Sequence, residues 1–403
     1  MLGRMTATSA PAHVRDLNIL LGESARDLVH AVVDATTDDV GGVNSVRPTS
    51  VTVRPSGDTL VRYAVEVRRR DTTVVRETLV AATGSLVPRG AAIVAGDLDG
   101  ESVEVGLWRW PHDPALPGLS HVVDRDRLGA LLARAGVSPE HPPTVRVQSY
   151  RPGRRAVLAI TAGSDRLFAK VVPPSELPGL RRRHELLASC LPVPRLLVTT
   201  DDGLAFMPAL PGTSGRAALR QGHRLPTPEA LEDLLDRLPP ALTTMPARSD
   251  HRRRARHYGA VLALTVPEER DRVTALAGMI TEADAGEHPV VPVHGDFYEH
   301  QLLTSAGAVT GLLDIDTAGP GERLDDWANL LAHLAVTETP RARDWEREIL
   351  RHVHEHFHPK QLRPRVASTV LGLATGPFRT QRPDWMARTR QRIDLAERWL
   401  DRP

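Results

Sequence analysis

Helical and strand patterns follow one another in the first part of the chain. Apolar residues recur at spacings of three and four over residues 14–36, which predicts helix. Alternating apolar and polar residues then predict three antiparallel strands, over residues 61–68, 72–82 and 103–110. Asp124 is expected to cap a helix over residues 125–135. Residues 1–140 are therefore predicted to form a small α+β domain.

A second group of strands follows a proline-rich linker at residues 138–143. Strand patterns cover residues 145–150, 155–162, 166–172, 192–198 and 203–212, and a helix is predicted over residues 177–188. These strands are predicted to form one five-stranded antiparallel sheet within residues 141–212. The turn between the first two strands contains Arg151, Arg154 and Arg155, which either contact phosphates or form a solvated hairpin tip.

The remaining residues, 213–403, are predicted to be mainly helical. Helical patterns cover residues 227–238, 251–264 and 267–282, each begun by a polar residue or a proline. Further helical patterns cover residues 327–337, 344–357, 363–373 and 383–400. Two short apolar runs, which end at residues 293 and 313, interrupt these helices and predict strands.

Composition narrows the classes of protein that fit. Of the 403 residues, 41% are hydrophobic and 25% are charged, which is ordinary for a globular protein. A net charge of +1 argues against nucleic acid as a partner. A single cysteine, Cys190, excludes a disulfide framework and favours a reducing compartment. We find neither a signal-peptide pattern nor an apolar run of membrane-spanning length, so a cytoplasmic location is expected, with no membrane partner.

The two short strands of the helical region each end in acidic residues. The first leads into His294-Gly295-Asp296, and an amide, Gln301, follows five residues after the aspartate. The second leads into Asp314-Ile315-Asp316. Magnesium prefers carboxylate oxygens together with substrate phosphates. Phosphoryl transfer also needs a carboxylate that accepts the hydroxyl proton. The pattern therefore indicates a site for a metal and a reacting hydroxyl group.

This order of an aspartate, an amide five residues later and a second aspartate after the next strand resembles the kinase catalytic loop. With Gly295 between the histidine and Asp296, it is similar to the aminoglycoside phosphotransferase family of small-molecule kinases. That family usually has asparagine where this chain has Gln301. Glutamine is more similar to the maltokinase and glucosamine-kinase branch, which also carries an N-terminal cap domain.

The resemblance implies roles for the acidic motif and for a lysine. Asp296 would orient and deprotonate the acceptor hydroxyl, while Gln301 and Asp314 would bind Mg²⁺. Lys170, one of only two lysines among 51 basic residues, ends the strand predicted over 166–172 much as the nucleotide-binding lysine of kinases does. It would contact the phosphates of the nucleotide and pair with an acid on the next helix, for which Glu185 is the best candidate.

The resemblance also implies residues that contact the nucleotide base and a residue that holds the active-site loop in place. Backbone groups of Met207 and Ala209 would contact the edge of the adenine of ATP or the guanine of GTP. Asp326 is similar to a family aspartate that braces the active-site loop. Asp316 either helps to bind the metal or contacts the substrate.

The predicted fold is a bilobal protein-kinase-like α+β fold behind an N-terminal cap. The cap is residues 1–140, the five-stranded small lobe is 141–212, and the mainly helical large lobe is 213–403. Because the nucleotide elements all follow the cap, deletion of residues 1–138 is expected to leave a folded two-lobe kinase. The predicted activity is transfer of a γ-phosphoryl group from ATP or GTP to a hydroxyl of a small molecule. A catalytically weak pseudokinase that binds nucleotide is the alternative.

The sequence leaves four classes of acceptor possible: a sugar, an amino sugar, an aminoglycoside or a related metabolite. Glu299, Glu322 and Asp325 could form the acidic pocket that an aminoglycoside needs. Residues 341–403, however, contain 14 Arg or Lys and 8 Asp or Glu, a balance that disfavours polycationic substrates.

Residues 354–358, His-Glu-His-Phe-His, formally match the H-E-x-x-H motif of metalloproteases. That motif needs both histidines on one helix, whereas Pro359 follows directly and places His358 at a helix end. We interpret His354 and His358 as a polar helix end and not as a zinc site.

Overall fold

The computed structural model describes residues 12–22, 24–36, 40–98, 101–247 and 249–401. The first region contains a five-stranded antiparallel sheet in the order β1-β2-β3-β5-β4. Its elements are α1 (Ala12–Leu21), α2 (Ser24–Thr36), β1 (Val40–Val53), β2 (Thr59–Arg69), β3 (Val74–Ala82), β4 (Ala92–Leu98), β5 (Glu101–Arg109), α3 (Ser120–Val123) and α4 (Arg125–Arg134). The predicted cap of α4 is present, since the Asp124 carboxylate accepts a hydrogen bond from Arg127 N.

Strands β1 and β4 were not predicted from the sequence. Strand β1 shifts register against β2 at three places, so its apolar residues do not alternate regularly. It also contains Pro48, which an edge strand tolerates because its outer backbone groups need no partner strand.

The second region is the predicted five-stranded antiparallel sheet, in the order β6-β7-β8-β10-β9. Its elements are β6 (Thr144–Arg151), β7 (Arg155–Ala162), β8 (Asp165–Val171), α5 (Leu177–Leu187), β9 (Val198–Thr199) and β10 (Leu204–Pro208). Strand β8 delivers Lys170 to the face that meets the third region, and only 8% of this residue is exposed.

The third region is mainly helical, as predicted. Its strands are β11 (Thr213–Ser214), β12 (Val290–Val293), β13 (Leu302–Ser305), β14 (Ala308–Leu312) and β15 (Gly319–Glu322). Its helices are α6 (Gly215–Gln221), α7 (Pro228–Asp236), α8 (His251–Thr265), α9 (Arg270–Glu282), α10 (Arg323–Ala335), α11 (Pro340–His356), α12 (Pro359–Ala374), α13 (Gly376–Arg379) and α14 (Trp385–Leu400). The five-stranded small lobe and this helical large lobe make the fold a protein-kinase-like α+β fold with an additional N-terminal sheet.

The N-terminal sheet and the small lobe share one hydrophobic core. One apolar cluster contains Leu60, Val80 and Leu119 from the first region together with Leu158 and Phe206 from the small lobe. A second cluster covers the other face of the N-terminal sheet with α1 and α2 and includes Val261 and Phe378 of the large lobe. The boundary near residue 140 therefore separates two sheets but not two cores. This arrangement argues against the expectation that residues 1–138 can be removed without unfolding the rest.

No helix in the described ranges combines the length and the apolar character that a membrane span requires.

Candidate active site

A buried aspartate holds the loop that follows β12. Asp326, near the start of α10, accepts a hydrogen bond of 2.8 Å from His294 N through Oδ2 and one of 2.8 Å from Gly295 N through Oδ1. Burial raises the pKa of Asp326, although both amides favour the ionised carboxylate. The bracing contact predicted for Asp326 is confirmed, because this one carboxylate fixes the backbone directly before Asp296.

The His294 imidazole connects this loop to the end of β14. Its Nδ1 accepts a hydrogen bond of 3.2 Å from Asp296 N. Its Nε2 therefore carries the proton and donates to Leu313 O, at 2.9 Å. The residue is fully buried, so the ring acts as a rigid spacer between the two acidic loops.

Gly295 permits a close approach between those loops. Its φ of +78° lies in the left-handed region, and a Cβ built on it would lie 2.6 Å from Thr317 O. Thr317 Oγ1 in turn donates to His294 O, at 3.1 Å. Any other residue at position 295 would push the Asp296 loop away from the segment that contains Asp314 and Asp316.

Gln301 lies beside the strand end that leads to Asp314. Its N donates to Tyr298 O, at 2.9 Å, and its O accepts from Leu313 N, at 2.8 Å. The residue is 5% exposed. These backbone contacts place Gln301 next to Leu313, the residue that precedes Asp314, and the assignment of both residues to magnesium stays a prediction.

Asp314 and Asp316 form an ion-pair network with Lys170 and Arg155. Lys170 Nζ donates to Asp314 Oδ1 at 3.1 Å and to Asp316 Oδ1 at 2.5 Å. The Arg155 guanidinium binds both oxygens of Asp314, at 3.1 and 3.0 Å, and Asp316 Oδ2 at 3.2 Å. Two cations from the small lobe thus meet two carboxylates from the large lobe.

The opposite charges in this network stabilise each other. Burial acts to raise the pKa of Asp314, but Lys170 and Arg155 outweigh it and hold that pKa well below its usual range. Burial likewise acts to lower the pKa of Arg155, and Asp314 and Asp316 reverse that effect and raise it. Asp314 and Arg155 therefore both stay charged near neutral pH.

The predicted pairing of Lys170 with Glu185 is wrong in this structure. Helix α5 buries Leu180, His184 and Leu187 against the rest of the lobe, so Glu185 points to solvent. Its side chain is 58% exposed, and Arg182 Nη1 lies 3.9 Å from its carboxylate. The helix was predicted correctly, but its rotation about the helix axis places His184, and not Glu185, towards the sheet.

The two backbone contacts predicted for the nucleotide base have different outcomes. Ala209 N donates to Arg166 O at 2.8 Å, so the donor assigned to the purine edge is already engaged within the lobe. Met207 lies in β10 opposite Phe168 and is 7% exposed. Its role at the nucleotide base stays a prediction.

Arg155 and Asp316 are the members of the network whose roles the sequence left open. Arg155 lies 159 residues from Asp314 and 161 from Asp316, so nothing local in the sequence indicates these pairs. The only signal was the position of Arg155 in a hairpin that could contact phosphates.

The three acids that could accommodate an aminoglycoside are paired with arginines. Glu299, whose side chain is fully buried, lies 2.7 Å from Arg216. Glu322 and Asp325 both pair with Arg365, and the Asp325 contact measures 3.2 Å. These acids are therefore neutralised within the protein and do not form an open acidic pocket.

Tyr298 lies near both Arg216 and Asp296. Its ring stacks on His333 with the centroids 3.8 Å apart, and Arg216 lies 5.9 Å from the ring centroid. Burial, followed by the nearby Asp296 carboxylate, raises the pKa of Tyr298 to about 12. The phenol is therefore a neutral hydroxyl at physiological pH, and it can donate a hydrogen bond.

Comparison with known proteins identifies the family of the chain. The model of the phosphotransferase enzyme family, APH, matches residues 147–365, which is more than half of the chain. The chain therefore belongs to this family, as predicted, and is a nucleotide-dependent small-molecule phosphotransferase. No curated protein matches the chain significantly.

Several solved structures are similar to this chain. The GDP complex of aminoglycoside 2'-phosphotransferase-IIIa is 14% identical over 68% of this chain and 98% of its own, with a TM-score of 0.47. A ternary complex of aminoglycoside phosphotransferase APH(4)-Ia with ADP and hygromycin B is 15% identical over 68% and 98%, with a TM-score of 0.48. A choline/ethanolamine kinase family protein from Mesorhizobium loti is 18% identical over 69% and 94%, with a TM-score of 0.49.

Proposed function

We propose that the protein transfers the γ-phosphoryl group of ATP or GTP to a hydroxyl group of a small neutral or anionic molecule. The observation that carries this proposal is the network in which Lys170 and Arg155 hold Asp314 and Asp316. It lies next to Asp296, whose charge contributes to the raised pKa of Arg155. A candidate base, two carboxylates and two cations are the groups that phosphoryl transfer needs.

Asp296 is the proposed base. The bond between the acceptor oxygen and the γ-phosphorus forms while the bond from that phosphorus to the β,γ-bridging oxygen breaks. The electron pair of the broken bond leaves with the nucleoside diphosphate, and the acceptor hydroxyl gives its proton to Asp296. His294 and Asp326 hold the backbone of this loop in place, so the carboxylate needs little rearrangement to act.

Lys170 and Arg155 are the proposed phosphate contacts. Both already bind carboxylate oxygens at hydrogen-bond distance, and phosphate oxygens offer the same charge and acceptor geometry. Arg155 binds Asp314 in a bidentate manner, which is also how guanidinium groups bind phosphates.

The donor set of Gln301 and Asp314 fits magnesium. Both side chains offer hard oxygen atoms, and the backbone hydrogen bond from Leu313 N to Gln301 O places Gln301 beside the residue that precedes Asp314. Mg²⁺ bound there would neutralise charge on the β- and γ-phosphates. Asp316 adds a second carboxylate within reach of Lys170.

The charges around the acceptor side support a neutral or anionic acceptor. Glu299, Glu322 and Asp325 are paired with arginines, which removes the acidic pocket that a polycation needs. Burial lowers the pKa of Arg151, and the neighbouring Arg155 and Arg379 lower it further. The guanidinium groups of Arg151, Arg155 and Arg379 therefore lie close enough to one another to disfavour a cationic acceptor beside them.

A screen of acceptors tests the function. We expect release of nucleoside diphosphate that depends on Mg²⁺ and on the acceptor, with neutral sugars and sugar acids preferred over aminoglycosides. Mass spectrometry of the product should show one added phosphoryl group, and chelation of Mg²⁺ should stop the reaction. Nucleotide binding without turnover on any acceptor would instead favour the alternative of a nucleotide-binding pseudokinase.

Exchange of Lys170 for arginine should impair catalysis while leaving the fold intact. The lysine Nζ fits between Asp314 and Asp316, and a planar guanidinium is too wide for the same position. We expect phosphoryl transfer to fall at least roughly tenfold, since a misplacement of about 1 Å can cost roughly 100-fold. Steady-state kinetics together with a thermal melt would check this.

Lys360→Arg is the matched control, because it makes the same chemical change at an exposed position in the first turn of α12. It should leave both kinetics and melting temperature unchanged. Equal behaviour of the two variants would show that Lys170 does not contact the nucleotide.

A further inference from the structure

Two histidines and a glutamate converge between two helices of the large lobe. Glu232 belongs to α7, whereas His352 and His356 lie one turn apart on α11. One ligand atom from each residue lies within 4.8 Å of the other two. The H-E-x-x-H pair, His354 and His358, is not part of this group, since α11 ends at His356 and His358 caps the next helix.

The contacts of His352 differ from those of a simple hydrogen-bonded pair. The residue is 8% exposed, and its Nε2 lies 2.9 Å from Glu232 Oε2. Within the described residues, this buried nitrogen nevertheless has no hydrogen-bond partner of acceptable geometry. Two ligands of a tetrahedral zinc ion, each about 2.0–2.1 Å from the metal, are separated by about 3.3 Å and do not point at one another.

A second carboxylate faces the other ring nitrogen of His352. Nδ1 of His352 lies 3.8 Å from the Glu229 carboxylate, so Glu232 and Glu229 approach different nitrogens of the same ring. The His356 ring centroid lies 5.4 Å from that of His352, on the solvent side. Solvent therefore reaches the group from one side, where water can complete a tetrahedral set.

From these contacts we infer that Glu232, His352 and His356 form a zinc site that links α7 to α11. Two imidazole nitrogens and one carboxylate oxygen suit Zn²⁺, whereas Mg²⁺ prefers oxygen ligands alone. The site is distinct from the phosphoryl-transfer site and does not depend on the function proposed for it. Since the ligands come from two helices, zinc binds the folded chain and stabilises it.

Zinc titration of the metal-free protein tests the site. The preparation should contain no histidine tag, and excess Mg²⁺ should be present so that the oxygen-rich site is saturated. We expect calorimetry to show one Zn²⁺ bound per chain and a melting temperature that rises with zinc. Replacement of zinc by Co²⁺ should give the visible absorption of a tetrahedral centre.

Three variants make the test specific. Glu232→Gln and His356→Ala change side chains that reach the surface, so both variants should fold and melt like the parent without zinc. Each should weaken zinc binding by more than roughly 100-fold, because loss of a direct ligand exceeds the 10–100-fold effect of an outer-shell partner.

His354→Ala, on the exposed side of the same helix, is the control and should bind zinc like the parent. The inference would be overturned by a parent protein that binds no zinc at this stoichiometry. It would also be overturned if Glu232→Gln and His356→Ala retained parental affinity, or if His354→Ala lost it equally.

Discussion

Asp296→Asn should lower turnover by roughly 10²–10⁴-fold, the usual contribution of a positioned general base. Asparagine has nearly the same size as aspartate but cannot accept the proton of the acceptor hydroxyl. The loop should keep its position, because Asp326 and His294 hold the backbone amides that lead into this side chain. Nucleotide affinity should change little, since the proposed phosphate contacts come from Lys170 and Arg155.

The measurement is a comparison of single-turnover kinetics with nucleotide binding for the parent and the variant. Asp271→Asn makes the same chemical change at an exposed position of α9 and serves as the control. An Asp296→Asn enzyme that turns over like the parent would remove the role of base from this residue. Loss of nucleotide binding together with turnover would instead assign Asp296 to the binding of the nucleotide or its metal.

The motif that contains Asp296 could be predicted because its signals are local. Two short apolar runs, the dipeptide His294-Gly295 and the spacing to Gln301 lie within a few residues of one another. The structure adds the reason for the glycine, which is the close approach of Thr317 O to position 295. Local sequence thus predicted the loop and its acidic residues, whereas the bracing contact of Asp326 was implied by the family resemblance.

The partners of Lys170 could not be predicted in the same way. The ion pairs of Lys170 with Asp314 and Asp316 join residues that are 144 and 146 positions apart. Hydrophobic periodicity predicts that residues 177–188 are helical, but it does not identify which polar residue faces the sheet. Glu185 was therefore assigned to Lys170, although the buried face of α5 carries His184 instead.

The extent of the hydrophobic core also could not be predicted from the sequence. Alternation in β7 and β8 predicts two faces for the small-lobe sheet, but it does not show what covers each face. The face away from Lys170 is covered by the N-terminal region, so a composition-based linker at residues 138–143 does not mark an independent folding unit.

Deletion of residues 1–138 should therefore leave a chain that does not fold. Leu158, Ile160, Leu167 and Phe206 of the small lobe are 0–3% exposed within the core that this region completes. Exposure of four large apolar side chains costs about 6–12 kcal/mol, at about 1.5–3 kcal/mol each. That loss is similar to the whole free energy of unfolding of a typical domain, about 5–15 kcal/mol.

Polar contacts across the boundary add to this expectation. The buried Asp113 carboxylate accepts hydrogen bonds from Tyr150 OH, at 2.9 Å, and from Gly153 N, at 2.8 Å. Arg62 Nη1 donates to Tyr150 O at 2.8 Å. These contacts hold the hairpin that carries Arg155, so even a partly folded fragment should lose the geometry of its phosphate contacts.

Circular dichroism, size-exclusion chromatography and nucleotide binding of the fragment 139–403 would measure the effect. We expect aggregation or loss of cooperative melting. Co-expression of residues 1–138 as a separate chain should restore a soluble complex that binds nucleotide, because the missing contacts are non-covalent. The co-expression experiment distinguishes loss of the shared core from a general failure of shortened chains to fold. A monomeric fragment that melts cooperatively and binds nucleotide without the first segment would show that the small lobe is stable with this face exposed.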